Sequence, residues 1–349
     1  MLYFIYNYDI LTCIIFVEGY MGSRQDLEIF IITYNRREKL KKTFEQIFDI
    51  ASPVREFDIK VIDNASNDGT RELCMEYAER FSNLVYISNN RNIGLSGNII
   101  KPFELASKKW LWVLCDDDDF DWTHWAEIEK ALNNDENAII MAERLTDYKK
   151  LTLPVLINEF SFLPAAIYNT KNITSSVMQK MYINAYTLFP HLALVCEVVN
   201  QGKKIFVPEN IIVKQSFTLE KDNKQYARGT NQDLHFRQRR FHLFCGFANS
   251  FRMINDRKLR YACCENFMLG YPFNKAMSLF LNHNGLDINN IFDLFCAFSI
   301  KQNLIFLLLI MLHILQNILR IDISSERIYI VILKKIKIRI NLIRRYKNA

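Results

Sequence analysis

None of the eight cysteines forms a C-x-x-C pair. That removes the familiar zinc and redox spacings, and several of the thiols stand inside apolar runs where small buried residues belong. A reducing, cytoplasmic setting without a disulfide framework is expected. Acidic residues are missing from residue 327 to the end, where eight Lys or Arg stand. Subtracting these from the formal charge of +6 leaves −2 for the rest, so the basic character is local to the tail. A nucleic-acid binder would spread that charge over its folded face, and no nucleic-acid partner is expected. The apolar start (residues 1–26) lacks what a signal peptide needs. Asp9 interrupts it, no basic segment precedes residues 11–17, and no small-residue cleavage site follows. Met21 stands just before the first well-formed strand, and residues 1–20 are expected to lie outside the functional protein. The apolar run at 303–319 would extend roughly 26 Å as a helix, short of a ~30 Å bilayer core. No internal repeat is present.

What is there favours a folded α/β chain. Half of the residues are hydrophobic and 13% aromatic, against 23% charged, which excludes general disorder. Strand and helix patterns alternate through the first half. Strands are predicted at 28–33, 57–63, 84–88 and 110–115, with helices at 36–50, from about 70 to 81, and at 94–107. Such alternation implies a mainly parallel sheet with helices on both faces. Ligands of such sheets collect beyond the carboxyl ends of the strands, and Thr33, Asp63 and Asp116 all fall there. Further strands are predicted near 162–168 and 204–207, and a helix at 191–201 that stops at Gly202. After about residue 220 the pattern turns helical and Phe-rich. The expected organisation is an extension (1–26), an α/β domain (27–220) and a helical C-terminal region (221–349).

The strongest chemical signal is the run of four aspartates, 116–119, closing an apolar strand. Carboxylates are hard oxygen donors suited to Mg²⁺ or Mn²⁺, which in turn bridge diphosphate oxygens. Adjacent acids repel without a cation nearby. The alternative is a solvated acidic turn that caps the next helix.

Residues 27 to about 215 resemble the family 2 glycosyltransferases of bacterial type, with the Rossmann-like GT-A fold. The resemblance lies in Ile32-Thr-Tyr-Asn-Arg36, Val61-Ile-Asp-Asn-Ala-Ser-Asn-Asp-Gly-Thr70, Asn89-Asn-Arg-Asn-Ile-Gly94 with Gly97-Asn98, and Leu114 to Asp119. It implies an inverting enzyme that moves a sugar from a nucleotide donor, most often UDP-linked, using Mn²⁺ or Mg²⁺. It further implies that Thr33 and Tyr34 line the base pocket, with Asn35 and Arg36 on the same donor-binding turn. Asp63 would bond the base, and Asp68 would shape the neighbouring turn. Asn92 and Gly94 would approach the nucleotide sugar and phosphates. Asp116 and Asp118 match the D-x-D motif, Asp118 as the direct metal ligand with Asp116 beside it, and Asp117 on the donor side. For Asp63 the alternative is a turn or capping carboxylate, and for Gly94 a plain turn glycine.

The family's Glu-Asp base pair is absent. Counting back from Gly202 reaches Pro190-His191 instead, a proline suited to a first helical turn and a histidine. An ordinary histidine titrates near ~6.5 and can act as a base at neutral pH, so His191 is the candidate base and Glu197 the weaker one. The alternative is that His191 only packs. The tail interleaves Ile and Leu with basic residues, as a membrane-surface element does. It equally suits a last strand or helix with a solvated face. The resemblance implies a glycan or lipid-linked glycan acceptor in cell-surface polysaccharide or lipooligosaccharide synthesis, at the inner face of the cytoplasmic membrane. Two rivals remain. A sugar-nucleotide nucleotidyltransferase should carry a Gly-rich loop after the first strand, which Thr33-Tyr-Asn-Arg-Arg37 lacks. An inactive glycosyltransferase-like binding subunit fits the missing acid pair.

Overall fold

A computed structural model describes residues 26–144, 147–214 and 245–269, with parts of 292–311. Two compact units are present, Met1–Thr152 with Glu159–Thr218, and Leu153–Asn158 with Leu219–Ala349. The expectations for residues 1–20, for most of 303–319 and for the basic tail lie outside the described residues. Among the described residues no helix is long and apolar enough to cross a membrane, and the cysteines are free thiols.

The first unit is built on a seven-stranded sheet. Its strands are β1 (Leu27–Thr33), β2 (Asp58–Asp63), β3 (Leu84–Ser88), β4 (Trp110–Cys115), β6 (Asn137–Met141), β7 (Ala166–Asn169) and β8 (Lys204–Phe206). A separate pair joins β5 (Asp119–Phe120) to β9 (Val213–Lys214). Their order in the large sheet is β3-β2-β1-β4-β7-β6-β8. Every residue of β1 is buried, as expected of a strand covered on both faces. Helices α1 (Arg37–Ile47), α2 (Thr70–Arg80) and α3 (Gly94–Leu105) make the crossovers between β1, β2, β3 and β4. The apolar stripe Leu40, Phe44 and Ile47 of α1 joins Leu73, Cys74 and Tyr77 of α2 in the core. Right-handed crossovers put α1 and α2 on one face while the chain steps from β1 outward to β3. The return through α3 to β4 then uses the other face. The order therefore reverses between β1 and β4, and that crevice is where ligands of open α/β sheets bind.

Two predictions need correction. No strand is predicted between 116 and 161, yet Asn137–Met141 is a fully buried strand. The run beginning at Phe162 was read as strand throughout, but Leu163–Ala165 forms a tight helical turn with Pro164 inside it. Strand pairing starts only at Ala166, and β7 runs antiparallel to both β4 and β6. Since β7 reverses direction between them, β4 and β6 point the same way.

In the second unit, α8 (Arg257–Leu269) is described. Phe247, Phe251 and Phe267 meet edge to face there, with ring centroids 4.8–6.2 Å apart, in line with the Phe-rich pattern.

Candidate active site

Two strand ends meet at the switch between β1 and β4. Thr33 ends β1 and Asp116 follows β4, and both are buried. The Thr33 hydroxyl donates to Asp116 Oδ2 at 2.6 Å, and Arg36 meets Asp116 Oδ1 at 2.7 Å. Arg36 also bonds Asp117, and Lys39 lies 3.8 Å from that carboxylate. Burial pushes the Asp116 carboxyl up to about 6, with Arg36 the main group opposing it and Asp117 adding to it. Both Asp116 oxygens are thus engaged by the chain itself.

The turn after β4 is pinned from α1. Gln46 Nε2 donates to the Asp118 carbonyl at 3.2 Å, and Gln46 Oε1 accepts the Phe120 amide at 3.0 Å. Phe120 stacks flat on Trp122, with centroids 5.0 Å apart, and both rings stand edge-on to Trp112 of β4. Gln46 touches no candidate ligand group, yet it sets where Asp118 stands. Asp118 is itself buried. Among the described residues no three His, Cys, Asp or Glu side chains are grouped to hold a metal unaided. That donor set suits Mg²⁺ or Mn²⁺ held by one or two carboxylates together with substrate phosphates, and not a cation caged by protein alone.

The next two loops are tied to the first. Asn35, held at φ +52°, accepts the Asn67 amide at 2.8 Å, and its own amide donates to Ser66 Oγ at 2.8 Å. Asp63 is 1% exposed. It accepts the Ser66 amide at 3.0 Å and the Tyr86 hydroxyl at 2.7 Å, so its turn-holding alternative is realised. A carboxylate has about four acceptor positions, and capacity remains for a further donor. Asp68 caps two elements, taking the Arg37 amide of α1 at 2.9 Å and the Thr70 hydroxyl of α2 at 2.6 Å. Asn92 accepts the Gly94 amide at 2.8 Å, and Gly94 takes φ +79°, a conformation glycine adopts without strain. Tyr34 is half-buried on the same turn as Asn35.

Asn64 and Asn98 lay within the quoted motifs without being singled out, and they organise this edge. Asn64 Nδ2 donates to Asn92 Oδ1 at 2.8 Å, while Asn64 Oδ1 accepts the Ile93 amide at 2.9 Å and Asn89 Nδ2 at 3.2 Å. Asn98 accepts Asn89 Nδ2 at 3.1 Å and reaches the Thr33 carbonyl at 3.4 Å. The clustering of asparagines at 89–98 was the available signal.

Both candidate bases are bonded within the chain. His191 is 1% exposed, and its Nε2–H donates to the Phe160 carbonyl at 2.9 Å. Burial lowers its pKa to about 4, which leaves it a weak proton acceptor at pH 7. Glu197, on α7 (Leu192–Asn200), pairs with Lys180 at 2.6 Å and accepts from Gln201 at 2.6 Å. The Lys180 bond holds its carboxyl below the usual range, a poor state for a proton acceptor. A cleft of about 890 Å³ lined by Phe103, Glu104, Ser107, Thr170, Met178 and Tyr182 lies where β4 begins and β7 ends, at the opposite edge of the sheet. None of the predicted site residues lines it.

Comparison with known proteins adds three findings. The sequence profile of Glycosyl transferase family 2 matches residues 28–202. Relatives include the abequosyltransferase of Salmonella typhimurium, 30% identical over 25% of this chain and 27% of its own. An uncharacterized glycosyltransferase of Methanocaldococcus jannaschii is 31% identical over 26% of this chain and 32% of its own. The chain thus spans about a third or less of the length of these two relatives. Among solved structures, S. aureus TarS in complex with UDP-GlcNAc superposes with a TM-score of 0.54 at 14% identity, over 79% of this chain and 82% of that one.

Proposed function

This chain belongs to glycosyl transferase family 2, and from that premise we propose that it transfers a sugar, with inversion, from a UDP-linked donor to a glycan or lipid-linked glycan acceptor during cell-surface polysaccharide or lipooligosaccharide synthesis. The observation that carries the reading is the junction of Thr33, Arg36 and the 116–118 carboxylates at the β1–β4 switch point. Asp118 would hold Mn²⁺ or Mg²⁺, which when bound supplies charge neutralisation of the departing diphosphate. Arg36 and Lys39 stand where they can add positive charge on the same side. Thr33, Tyr34 and Asn35 shape the turn facing the nucleotide, and Asp63 retains acceptor capacity for a base N–H. The loop that Asn64 fixes brings Asn92 and Gly94 to the same edge.

UDP is the first nucleotide to test, because the resemblance points to it and the TarS complex contains a UDP-sugar. Calorimetry of UDP binding with and without Mn²⁺ tests the reading. Binding should strengthen at least ~10-fold with the cation, or 1.4 kcal/mol, and Asp118→Asn should abolish that gain. Cation-independent affinity, or none, would overturn it. The placement of His191 and Glu197 favours a second reading, a binding subunit without turnover. Slow hydrolysis of a UDP-sugar by the purified protein separates the two, since only a transferase shows it.

A further inference from the structure

Residues 116–119 bring four carboxylates to the turn that closes β4, enough hard oxygen donors to attract a divalent cation without help from a nucleotide. Two of the four are held by cations of the chain itself. The Arg36 guanidinium bridges neighbours, meeting Asp116 Oδ1 at 2.7 Å and bonding Asp117 as well. Lys39, in the first turn of α1, lies 3.8 Å from the same Asp117 carboxylate. Thr33 donates to the other Asp116 oxygen at 2.6 Å. Arg36 and Asp117 are only partly exposed and Asp116 is buried, so solvent screens these pairs less than it screens surface ones.

Resting on the transferase reading above, we propose that Arg36, backed by Lys39, is the residue that ties cation binding to donor binding. By holding Asp116 and Asp117 it withdraws two carboxylates from the donor set and adds a positive charge beside the others. Both effects weaken the hold of the aspartates on Mn²⁺ or Mg²⁺ alone. A nucleoside diphosphate restores what Arg36 removes, because its phosphate oxygens complete the donor set and its negative charge offsets the guanidinium. Arg36 thereby reserves the site for a cation that arrives with a nucleoside diphosphate. It acts through the aspartates it holds, as a positioning residue.

Neighbouring contacts fix Arg36 for this task. Asn35 is tied to Ser66 and Asn67 on one side, and the Arg37 amide is bonded to Asp68 on the other. The Arg36 carbonyl accepts the Lys39 and Leu40 amides at 2.9 and 3.0 Å. Residues three apart on such a turn face the same way, and the Arg36 and Lys39 side chains both reach Asp117.

The test titrates the full chain with Mn²⁺ alone and again with saturating UDP, following loss of the free-ion electron paramagnetic resonance signal. In the wild type, UDP should tighten Mn²⁺ binding at least ~10-fold, the same factor by which Mn²⁺ tightens UDP. Arg36→Gln should bind Mn²⁺ without nucleotide at least ~10-fold more tightly than the wild type, and the gain from UDP should shrink accordingly. Arg36→Lys keeps the charge and should stay within ~3-fold of the wild type. Lys39→Gln should move in the direction of Arg36→Gln by a smaller factor, about 2–3-fold. A merely structural arginine gives the opposite sign, since its loss would loosen the turn and weaken Mn²⁺ binding. A folded Arg36→Gln protein that binds nucleotide-free Mn²⁺ no more tightly than the wild type overturns the assignment and leaves the transferase reading intact. Where that variant does not fold, an unmoved Lys39→Gln does the same. Absence of any UDP gain in the wild type overturns the transferase reading, and the assignment with it.

Discussion

His191 and Glu143 illustrate how the same burial acts with opposite sign on a base and an acid. Burial disfavours the charged form in both, so the histidine is depressed and the carboxyl raised. For His191 the folded pKa of about 4 lies below the unfolded value of about 6.5. The unfolded chain binds more protons between those values, and stability is lost as pH falls through that window. Its share is on the order of 3 kcal/mol, from about 1.4 kcal/mol per pH unit. Glu143 slopes the other way, since its raised pKa makes stability fall as pH rises toward 7. Comparing wild type with His191→Gln by urea denaturation from pH 4 to 7 isolates the histidine. The variant should show the flatter loss on acidification. Parallel curves would mean that His191 is not buried as a neutral ring.

At the scale of elements, the candidate site depends on side chains that join one loop to another. Gln46 of α1 carries the turn that presents Asp118, and Asn64 carries the loop that presents Asn92 and Gly94. Gln46→Ala removes the two hydrogen bonds that hold this turn, each contributing about 0.5–1.5 kcal/mol, so denaturation should report a loss of about 1–3 kcal/mol. It should also weaken Mn²⁺-dependent UDP binding several-fold, although Gln46 faces no ligand. Unchanged binding in a destabilised variant would show that the β4–β5 turn keeps its shape by the stacking of Trp112, Phe120 and Trp122 alone. The strand at 137–141 escaped the sequence reading for an element-level reason. Periodicity cannot separate a short, fully buried strand from a helix fragment.

For the whole molecule, the charge distribution bears on where the enzyme works. The tail from residue 327 holds eight basic residues and no acid, interleaved with Ile and Leu. We propose that it attaches the protein to anionic lipid at the inner face of the cytoplasmic membrane. Replacing Lys334, Lys335 and Lys337 together by Gln should weaken sedimentation with phosphatidylserine vesicles by about 1 kcal/mol per charge, in a salt-sensitive manner. Vesicle binding indifferent to both salt and these substitutions would dismiss the tail as the anchor.

The sequence by itself determined the first four strands of the sheet and the carboxyl edge they share. Strands 84–88 and 110–115 are read from their apolar runs residue for residue, because each buried strand is encoded by its own few residues. The order of the motifs then places Thr33, Asp63 and Asp116 at strand ends without any knowledge of packing. Tertiary structure alone decided which carboxylates are engaged by Arg36 and that His191 faces the Phe160 carbonyl. Those facts depend on strand order, on the reversal at β7 and on register between segments tens of residues apart. Local propensity carries no information about such long-range pairings, which are settled only when the sheet closes its core.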